Sequence, residues 1–177
     1  IGNYRNKVGA LSDQLLRQAK CITGQTGIVL YAAHLHVHGV RLGKSKRNDS
    51  RIGNDYTTKV RGLQKAKYCA FGHIHDPQAL PGKVVDGRYA GSIVPINFGE
   101  EIQQKQVVVV KIGQEVLIEP RGISSGRQLI EIDGTLEDLE KKAVNGGLNE
   151  CILKARIHSK EPIPDLADRL LSNSPNC

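Results

Sequence analysis

Four of the six histidines, His34, His36, His73 and His75, lie within three residues of the end of an apolar segment, and three of them are the candidates for chemistry. His34 directly follows the apolar run at 28–33, and His73 and His75 follow a second run at 68–71. Imidazole is the commonest metal ligand among neutral side chains. Two histidines separated by one residue in extended backbone project to the same side. Such a pair serves one metal ion, or straddles two ions about 3.5–4 Å apart. The spacing therefore indicates a metal centre at the ends of two strands.

The remaining histidines suit simpler roles. His36 and His38 alternate with Leu35 and Val37, so we expect both imidazoles to line one face of a strand. We expect His158, near the C-terminal end of the sequence, to be a surface residue.

The elements that would hold the three histidines can be read from the apolar spacing. Residues 3–21 carry apolar side chains at helical spacing, and the run 28–33 is typical of a buried strand. The run 68–71 predicts a second strand, which ends at Gly72. This glycine would let the backbone bend tightly and bring the following imidazoles close to an ion.

The rest of the chain predicts a mixed fold of the α/β (α+β) class. Short β-prone runs separated by Gly, Pro and Asn favour a mostly antiparallel sheet; they are 84–89, 93–98, 107–112 and 116–118. Residues 120–126 are the best linker candidate. Beyond them the pattern predicts a strand, a helix, a strand and a helix, at 128–132, 136–143, 151–157 and 164–171. We expect Thr135 to cap the first of these helices, with Asp138 near its N-terminus.

The amino-acid composition limits the classes of protein to which this chain can belong. Apolar residues make up 39% of the chain, enough for a packed core, and no run approaches the roughly 20 residues of a membrane helix. The sequence begins with Ile1 and contains no Met, so we expect it to be a piece of a longer protein. Four scattered cysteines form no C-x-x-C pair, which argues against a zinc ribbon and favours a reducing cytoplasm. Cys69 is expected to be a small buried hydrophobe.

The positive charge is concentrated in one segment. Residues 41–67 hold nine Lys or Arg against two Asp, an excess equal to the +7 of the whole chain. A basic segment suits a polyanion such as nucleic acid, although a lysine-rich loop is also simply well solvated. Both interpretations stay open.

Two motifs of this chain resemble a known family. Residues 72–75 (G-H-I-H), with 67–71 before them, resemble the final metal-binding motif of calcineurin-like phosphoesterases, and residues 33–35 (A-H-L) resemble the motif before it. Residues 88–100 (R-Y-A-G-S-I-V-P-I-N-F-G-E) are similar to a stretch typical of the nuclease subunits of SbcCD exonucleases. The run 105–111 looks like that family's next strand.

The resemblance implies a fold and a site. Residues 1–120 would form part of a metallophosphoesterase domain, a two-sheet sandwich flanked by helices, and 121–177 a small α/β capping domain, whole or truncated. The site would be binuclear, usually supplied with Mn²⁺, with Mg²⁺ or another divalent metal as a substitute. By motif position His34 and His73 would bind one ion and His75 the other.

The chain also departs from the family pattern. Neither D-x-H nor G-N-H-D, the family's earlier motifs, occurs, and the Gly2-Asn3 pair is followed by Tyr4 instead of histidine. Without a bridging carboxylate nothing offsets the repulsion between two dications. We therefore expect this chain alone to be inactive, with the histidine that stabilises the phosphate supplied by the missing N-terminal part.

The resemblance implies the nuclease subunit of an ATP-dependent DNA repair complex. It would act as an exonuclease on double-strand ends and an endonuclease on hairpins, in DNA repair, recombination and replication. An SMC-like ATPase would be its partner, with a homodimer inside a heterotetramer. Lys44, Lys46 and Arg47 would contact the DNA backbone, with a solvated loop as the alternative. Two alternatives remain: a calcineurin-like phosphodiesterase on a non-DNA substrate, and a catalytically dead DNA-binding or scaffold subunit.

Overall fold

The structure of the chain is a computed structural model. It describes residues 2–42, 57–59, 62–83, 85–100 and 103–174. The mixed α/β fold predicted from the sequence is confirmed: within these ranges, three helices accompany several small sheets. The chain divides into two compact units, one of residues 1–93 and 104–124, the other of residues 94–103 and 125–177.

The first helix confirms the helical spacing of the N-terminal residues. Helix α1 spans Gly2–Thr23. Its inner face carries Leu16, which is 2% exposed, and Ser12, whose Oγ lies 2.8 Å from the hydroxyl oxygen of Tyr31. The helix thereby covers the face of the sheet on which Tyr31 stands.

The described part of the first unit contains eight strands. They are β1 (Leu30–His34), β2 (His36–Val37), β3 (Thr57–Thr58), β4 (Tyr68–Gly72), β5 (Gln78–Ala79), β6 (Gly87–Tyr89), β7 (Gln106–Ile112) and β8 (Val116–Gly122). The main sheet has the order β1-β4-β6-β5, in which β4 pairs in parallel with both β1 and β6, and β5 runs antiparallel to β6. β2 and β3 form a short parallel pair, and β7 and β8 an antiparallel hairpin.

Parallel pairing of β1 and β4 is what brings the candidate histidines to one place. His34, the last residue of β1, is paired with Gly72, the last residue of β4. The carboxyl ends of both strands therefore meet at the same edge of the sheet. Loops at such edges are where α/β proteins build their sites.

Two sequence predictions about strands need correction. The run 84–89 was expected in a mostly antiparallel sheet; its strand β6 does pair antiparallel with β5, but it pairs in parallel with β4. The run 93–98, all of which the structure describes, forms no strand. There the Glu100 carboxylate accepts a hydrogen bond from the backbone N–H of Ile96, at 3.2 Å, so this N–H has a partner other than a neighbouring strand.

The strand at the edge of the main sheet is also less buried than its apolar sequence predicted. Side chains along β1 alternate between exposed and half-buried, and Leu30 is 57% exposed. Tyr31 and Ala33 point into the core of this unit, whose buried members include Cys69, Phe71 and Tyr89. Cys69 is 0% exposed, which confirms its predicted role as a small buried hydrophobe.

The second unit confirms the predicted order of strand, helix, strand and helix. β9 (Gln128–Gly134) and β10 (Cys151–Ile157) pair in parallel, with α2 (Leu136–Val144) between them in sequence and α3 (Leu166–Asn173) after them. Its core is formed by a small set of fully or nearly buried residues, namely Ile130, Ile132, Leu139, Leu148 and Cys151. Thr135 caps α2 as predicted, in a reciprocal capping box with Asp138.

Across the described ranges, none of the helices has the length and apolar character needed to cross a membrane.

Candidate metal centre

The imidazoles of His34 and His73 lie next to each other. Their ring centroids are 5.4 Å apart and their planes make an angle of 75°. Two imidazoles that share one metal ion, each with a metal–nitrogen bond of about 2.1 Å, place their ring centroids roughly 5 Å apart. Both residues are exposed, so neither ring is packed in hydrocarbon. The ends of two adjacent strands thus bring the two residues within the distance that one shared ion requires.

Gly72 makes room for this arrangement. A Cβ atom at this position would lie 2.8 Å from Nδ1 of His34, closer than real Cβ contacts occur. From the sequence we expected Gly72 to provide the bend that follows β4. The bend belongs instead to His73, whose φ angle is +93°. Gly72 is needed because its neighbour across the strand pair is an imidazole.

The positive φ of His73 is a strained conformation. Apart from glycine, only three described residues have positive φ, and the other two are Glu150 and Asp165 in the second unit. A non-glycine residue in such a region is destabilised by about 1–3 kcal/mol and persists only where its surroundings hold it. Strain of this kind clusters at functional sites. The strained backbone of His73 is therefore a second indication, independent of the distance between the rings, that this residue belongs to a functional site.

His36 stands closer to this pair than the sequence indicated. We expected it to line one face of a strand together with His38. It does lie in β2, yet it is only 5% exposed, and its ring centroid lies 6.0 Å from that of His73. His38 is exposed. The alternation of polar and apolar residues could not reveal His36, because its neighbour belongs to a segment 37 positions further along the chain.

Tyr89 fixes the backbone between His34 and His36. Its hydroxyl donates to the carbonyl oxygen of Leu35, at 2.6 Å, and accepts from the N–H of Val37, at 2.9 Å. The side chain is 0% exposed, and this burial raises the pKa of Tyr89 to about 12. The hydroxyl therefore keeps its proton at neutral pH and continues to donate. Sequence reasoning did not assign Tyr89 any role at the site.

His75 is half-buried and is held through its backbone. Its carbonyl oxygen accepts a hydrogen bond from the N–H of Ser92, at 3.2 Å. Within the residues that the structure describes, no three or more His, Cys, Asp or Glu side chains are grouped so as to hold a metal ion. A role for His75 as a ligand beside His34 and His73 stays a prediction.

The three candidate DNA-binding residues, Lys44, Lys46 and Arg47, lie outside the described residues. At the C-terminal end of the basic segment, Lys65 forms an ion pair with Asp13, and Lys67 donates to the carbonyl oxygen of Gln114, at 2.6 Å. These two cations are thus engaged within the fold.

His158 is the histidine furthest along the chain. Its side chain is 63% exposed, as predicted, and bonds to Asp133, which also pairs with Arg156. The His158 and Arg156 contacts together hold the pKa of the Asp133 carboxyl below its usual value. This group lies in the second unit and forms a surface ion pair of the ordinary kind.

Comparison with known proteins yields one partial likeness. The chain is 32% identical over 107 residues to the SbcD subunit of the nuclease SbcCD from Bacillus subtilis (strain 168). Part of the chain is therefore SbcD-like. The aligned stretch covers 59% of this chain and 27% of that relative, so the chain spans about a quarter of the relative's length. No family model matches the chain.

Proposed function

We propose that this chain supplies the histidine-bearing part of a metal-dependent nuclease of the SbcD kind. The observation that carries the proposal is the pair of exposed imidazoles, His34 and His73, at the ends of adjacent parallel strands with ring centroids 5.4 Å apart. The partial likeness to a nuclease subunit supports the same conclusion. His75, two residues beyond His73, is proposed as a further ligand.

The residues present fit part of a metal-ligand set. Imidazole nitrogen suits the later first-row divalent metals best and binds Mn²⁺ more weakly, so a Mn²⁺ site would need carboxylates as well. Both rings are accessible from solvent. The grouped carboxylates that would complete such a set are not found among the described residues. In a complete site, a bound divalent ion would neutralise charge on the phosphate and lower the pKa of bound water.

The chain's own residues would contribute position more than reactivity. Gly72 leaves the space that the His34 ring occupies, and Tyr89 fixes the backbone on both sides of Leu35. The strained backbone of His73 sets the direction of its ring. A ligand set held in this way needs little rearrangement when an ion arrives, which favours binding.

The proposed substrate is DNA, and the proposed partner is an SMC-like ATPase subunit in an SbcCD-type complex. The relative is by name one subunit of a nuclease, and the concentrated positive charge of residues 41–67 suits a polyanion. We propose Mn²⁺ as the metal, the cytoplasm as the compartment, and a homodimer of this subunit within the assembly.

A second candidate function is a DNA-binding or scaffold subunit without catalytic activity. It is favoured by one observation: no group of three or more ligating side chains stands ready for a metal anywhere in the described ranges. The two candidates differ in whether this chain binds a divalent ion at its histidines.

Isothermal titration calorimetry with Mn²⁺ tests the proposal. We expect binding to this chain, and a loss of affinity of at least about tenfold in His34→Ala and in His73→Ala, since even residues that only orient a ligand change metal affinity by about that factor. The matched control is His38→Ala, which removes an exposed imidazole from the same region and should leave the affinity unchanged. Equal Mn²⁺ affinity in the unaltered chain and the three variants, or no Mn²⁺ binding at all, would favour the scaffold subunit without catalytic activity.

A cleavage assay separates metal binding from catalysis. We expect no cleavage of linear duplex DNA by this chain with Mn²⁺, because imidazoles without a bridging carboxylate do not hold two dications together. Robust cleavage that the His73→Ala variant abolishes would show that the ligand set within this chain is already complete.

A further inference from the structure

The SbcD-like motif at residues 88–100 contains a serine whose backbone touches the second histidine of the G-H-I-H motif. The N–H of Ser92 donates to the carbonyl oxygen of His75, at 3.2 Å. The two residues are 17 positions apart in sequence, so only the fold brings them together. Neither the metal proposal nor the likeness to a nuclease subunit assigns Ser92 a role.

Gly91 allows this close approach. Its φ angle is +87°, and a Cβ atom there would lie 2.7 Å both from the carbonyl oxygen of His75 and from Cγ of Pro77. Both the backbone conformation and the space therefore exclude other residues. The turn at 91–92 is pressed against the backbone of the histidine motif.

A buried lysine holds the serine from the other side. Lys105 is only 4% exposed, and its ammonium Nζ donates to Oγ of Ser92, at 2.8 Å. Removing a charged group from water costs several kcal/mol unless good partners compensate. A charge-assisted hydrogen bond is shorter and stronger than a neutral one, so this contact orients the serine firmly.

The backbone of Lys105 is itself fixed. Its carbonyl oxygen accepts from the N–H of Ile123, at 2.8 Å, and from Nε2 of Gln104, at 3.0 Å. Lys105 stands directly before β7, so the ammonium is anchored to the β7–β8 hairpin. A continuous chain of contacts thus runs from the hairpin through Lys105 and Ser92 to His75.

We infer that Ser92 and Lys105 are positioning residues for His75. Lys105 holds Ser92, and Ser92 holds the His75 carbonyl, so the direction in which the His75 imidazole leaves the backbone is set by the hairpin. The inference rests on the proposed function, in which His75 is a metal ligand. It explains why the motif at 88–100 accompanies the G-H-I-H motif: the first supplies the support for the second.

The first arm of the test measures the hydrogen bond itself. Amide hydrogen exchange of the full chain reports whether the Ser92 N–H stays bonded to His75. We expect the exchange rate of the backbone N–H of residue 92 to rise at least about tenfold in Lys105→Met and in Ser92→Ala. Ser92→Thr keeps a hydroxyl and should restore protection. The matched control is Lys111→Met, which removes an exposed lysine of β7 and should change nothing at Ser92.

The second arm measures the effect on the ligand. Zn²⁺, a diamagnetic ion that binds imidazole, is titrated into the chain with ¹⁵N-labelled histidine, and the ring ¹⁵N chemical shifts, which change strongly only on direct coordination, are followed. We expect such a change at His34, His73 and His75 in the unaltered chain. In Lys105→Met and Ser92→Ala, His75 alone should need about tenfold more Zn²⁺ for the same change, which is the usual effect of removing the support of a ligand. A brace for the loop alone would leave His75 as responsive as before.

The outcomes separate the two proposals. If Zn²⁺ changes the ring ¹⁵N shift of no imidazole in the unaltered chain, the metal site is wrong, and the inference fails with it. If the shifts of His34 and His73 change but His75 behaves alike in the unaltered chain, Ser92→Ala and Lys111→Met, the metal site stands and the inference is overturned. Should Lys105→Met not fold, Ser92→Ala and Ser92→Thr decide between these results.

Discussion

At the scale of single residues, the candidate site depends on the close approach of the His34 ring to position 72. The His34 ring occupies the space where a side chain at position 72 would stand, and His73 accepts a strained backbone beside it. The positions of His34 and His73 were predictable, because each histidine follows an apolar strand. The strain at His73 was not, since φ is set by tertiary contacts that a sequence does not display.

Gly72→Ala tests whether the glycine serves the imidazole. The added methyl would meet Nδ1 of His34, so the ring must move and Mn²⁺ affinity should fall by about tenfold, the effect usual for disturbing a ligand's orientation. The comparison is Gly113→Ala, where the nearest atom to a Cβ is 3.9 Å away. Calorimetric titration of both variants is the measurement. Equal affinities would show that the His34 ring can shift without disturbing the metal site.

Tyr89→Phe tests the anchor between His34 and His36. The change leaves the Leu35 carbonyl and the buried Val37 N–H without their partner, so the free energy of unfolding should fall by about 1–3 kcal/mol. Urea denaturation followed by circular dichroism measures it. Tyr31→Phe, which removes only the hydroxyl that meets Ser12, should lower stability less. A larger loss in Tyr31→Phe would mean that the Tyr89 hydroxyl is not the main support.

At the scale of elements, long segments with clear periodicity were predicted well. Helix α1 and the order strand, helix, strand, helix of the second unit follow from apolar spacing alone. The errors fall where contacts outside the apolar pattern matter. The run 93–98 is β-prone, yet it forms no strand, and the Glu100 carboxylate accepts from the Ile96 N–H that a strand pairing would use. The direction of β6 depends on its pairing with β4, which local sequence does not encode.

The capping box of α2 gives a prediction at this scale. Thr135 accepts from the backbone N–H of Asp138, and the Asp138 carboxylate accepts from the N–H of Thr135. Thr135→Ala should therefore lower the free energy of unfolding by about 1 kcal/mol. Thr26→Ala, at an exposed turn position, is the control and should have little effect. Urea denaturation compares the two, and an equal effect would count against the cap.

The same capping box should respond to acid. Hydrogen bonds from the Thr135 side chain and backbone hold the pKa of Asp138 below the ordinary value of 3.8. A lowered pKa in the folded state gives stability that is present above pH 3.8 and is lost as pH falls through the lowered pKa. In Thr135→Ala, the decrease in stability on acidification should be smaller, as measured by urea denaturation from about pH 5 downward. An identical acid profile in the two proteins would contradict this role.

At the scale of the whole molecule, buried acids in the core of the first unit, among them Cys69 and Tyr89, contribute to the response to alkali. Burial raises the pKa of the Cys69 thiol from 9.0 to about 12, and that of Tyr89 from 10.0 to about 12. Both groups are neutral in the fold and ionise earlier when unfolded. The stability they contribute is therefore complete below about pH 9 and is lost as pH rises towards about 12. Urea midpoints between about pH 7 and pH 11 test this, and a flat profile would contradict it.

The uneven charge of the whole chain gives a further prediction. If Lys44, Lys46 and Arg47 bind DNA phosphates, affinity falls steeply with salt, and neutralising all three to Gln flattens the slope of log affinity against log salt by about 0.9 for each phosphate interaction removed. Gln at Lys141, Lys142 and Lys160, in the second unit, is the charge-matched control. Fluorescence anisotropy with duplex DNA is the measurement. An unchanged slope would show that the three residues do not bind DNA phosphates and would favour the interpretation as a solvated loop.

We propose that His34 and His73 bind one and the same metal ion. A double-mutant cycle of Mn²⁺ affinity, with His34→Ala, His73→Ala and both changes together, tests whether they do. Ligands of one ion act as a unit, so the double variant should bind Mn²⁺ hardly more weakly than the weaker single variant. Losses that simply add, or single variants that bind as well as the unaltered chain, would show that the two imidazoles do not share an ion.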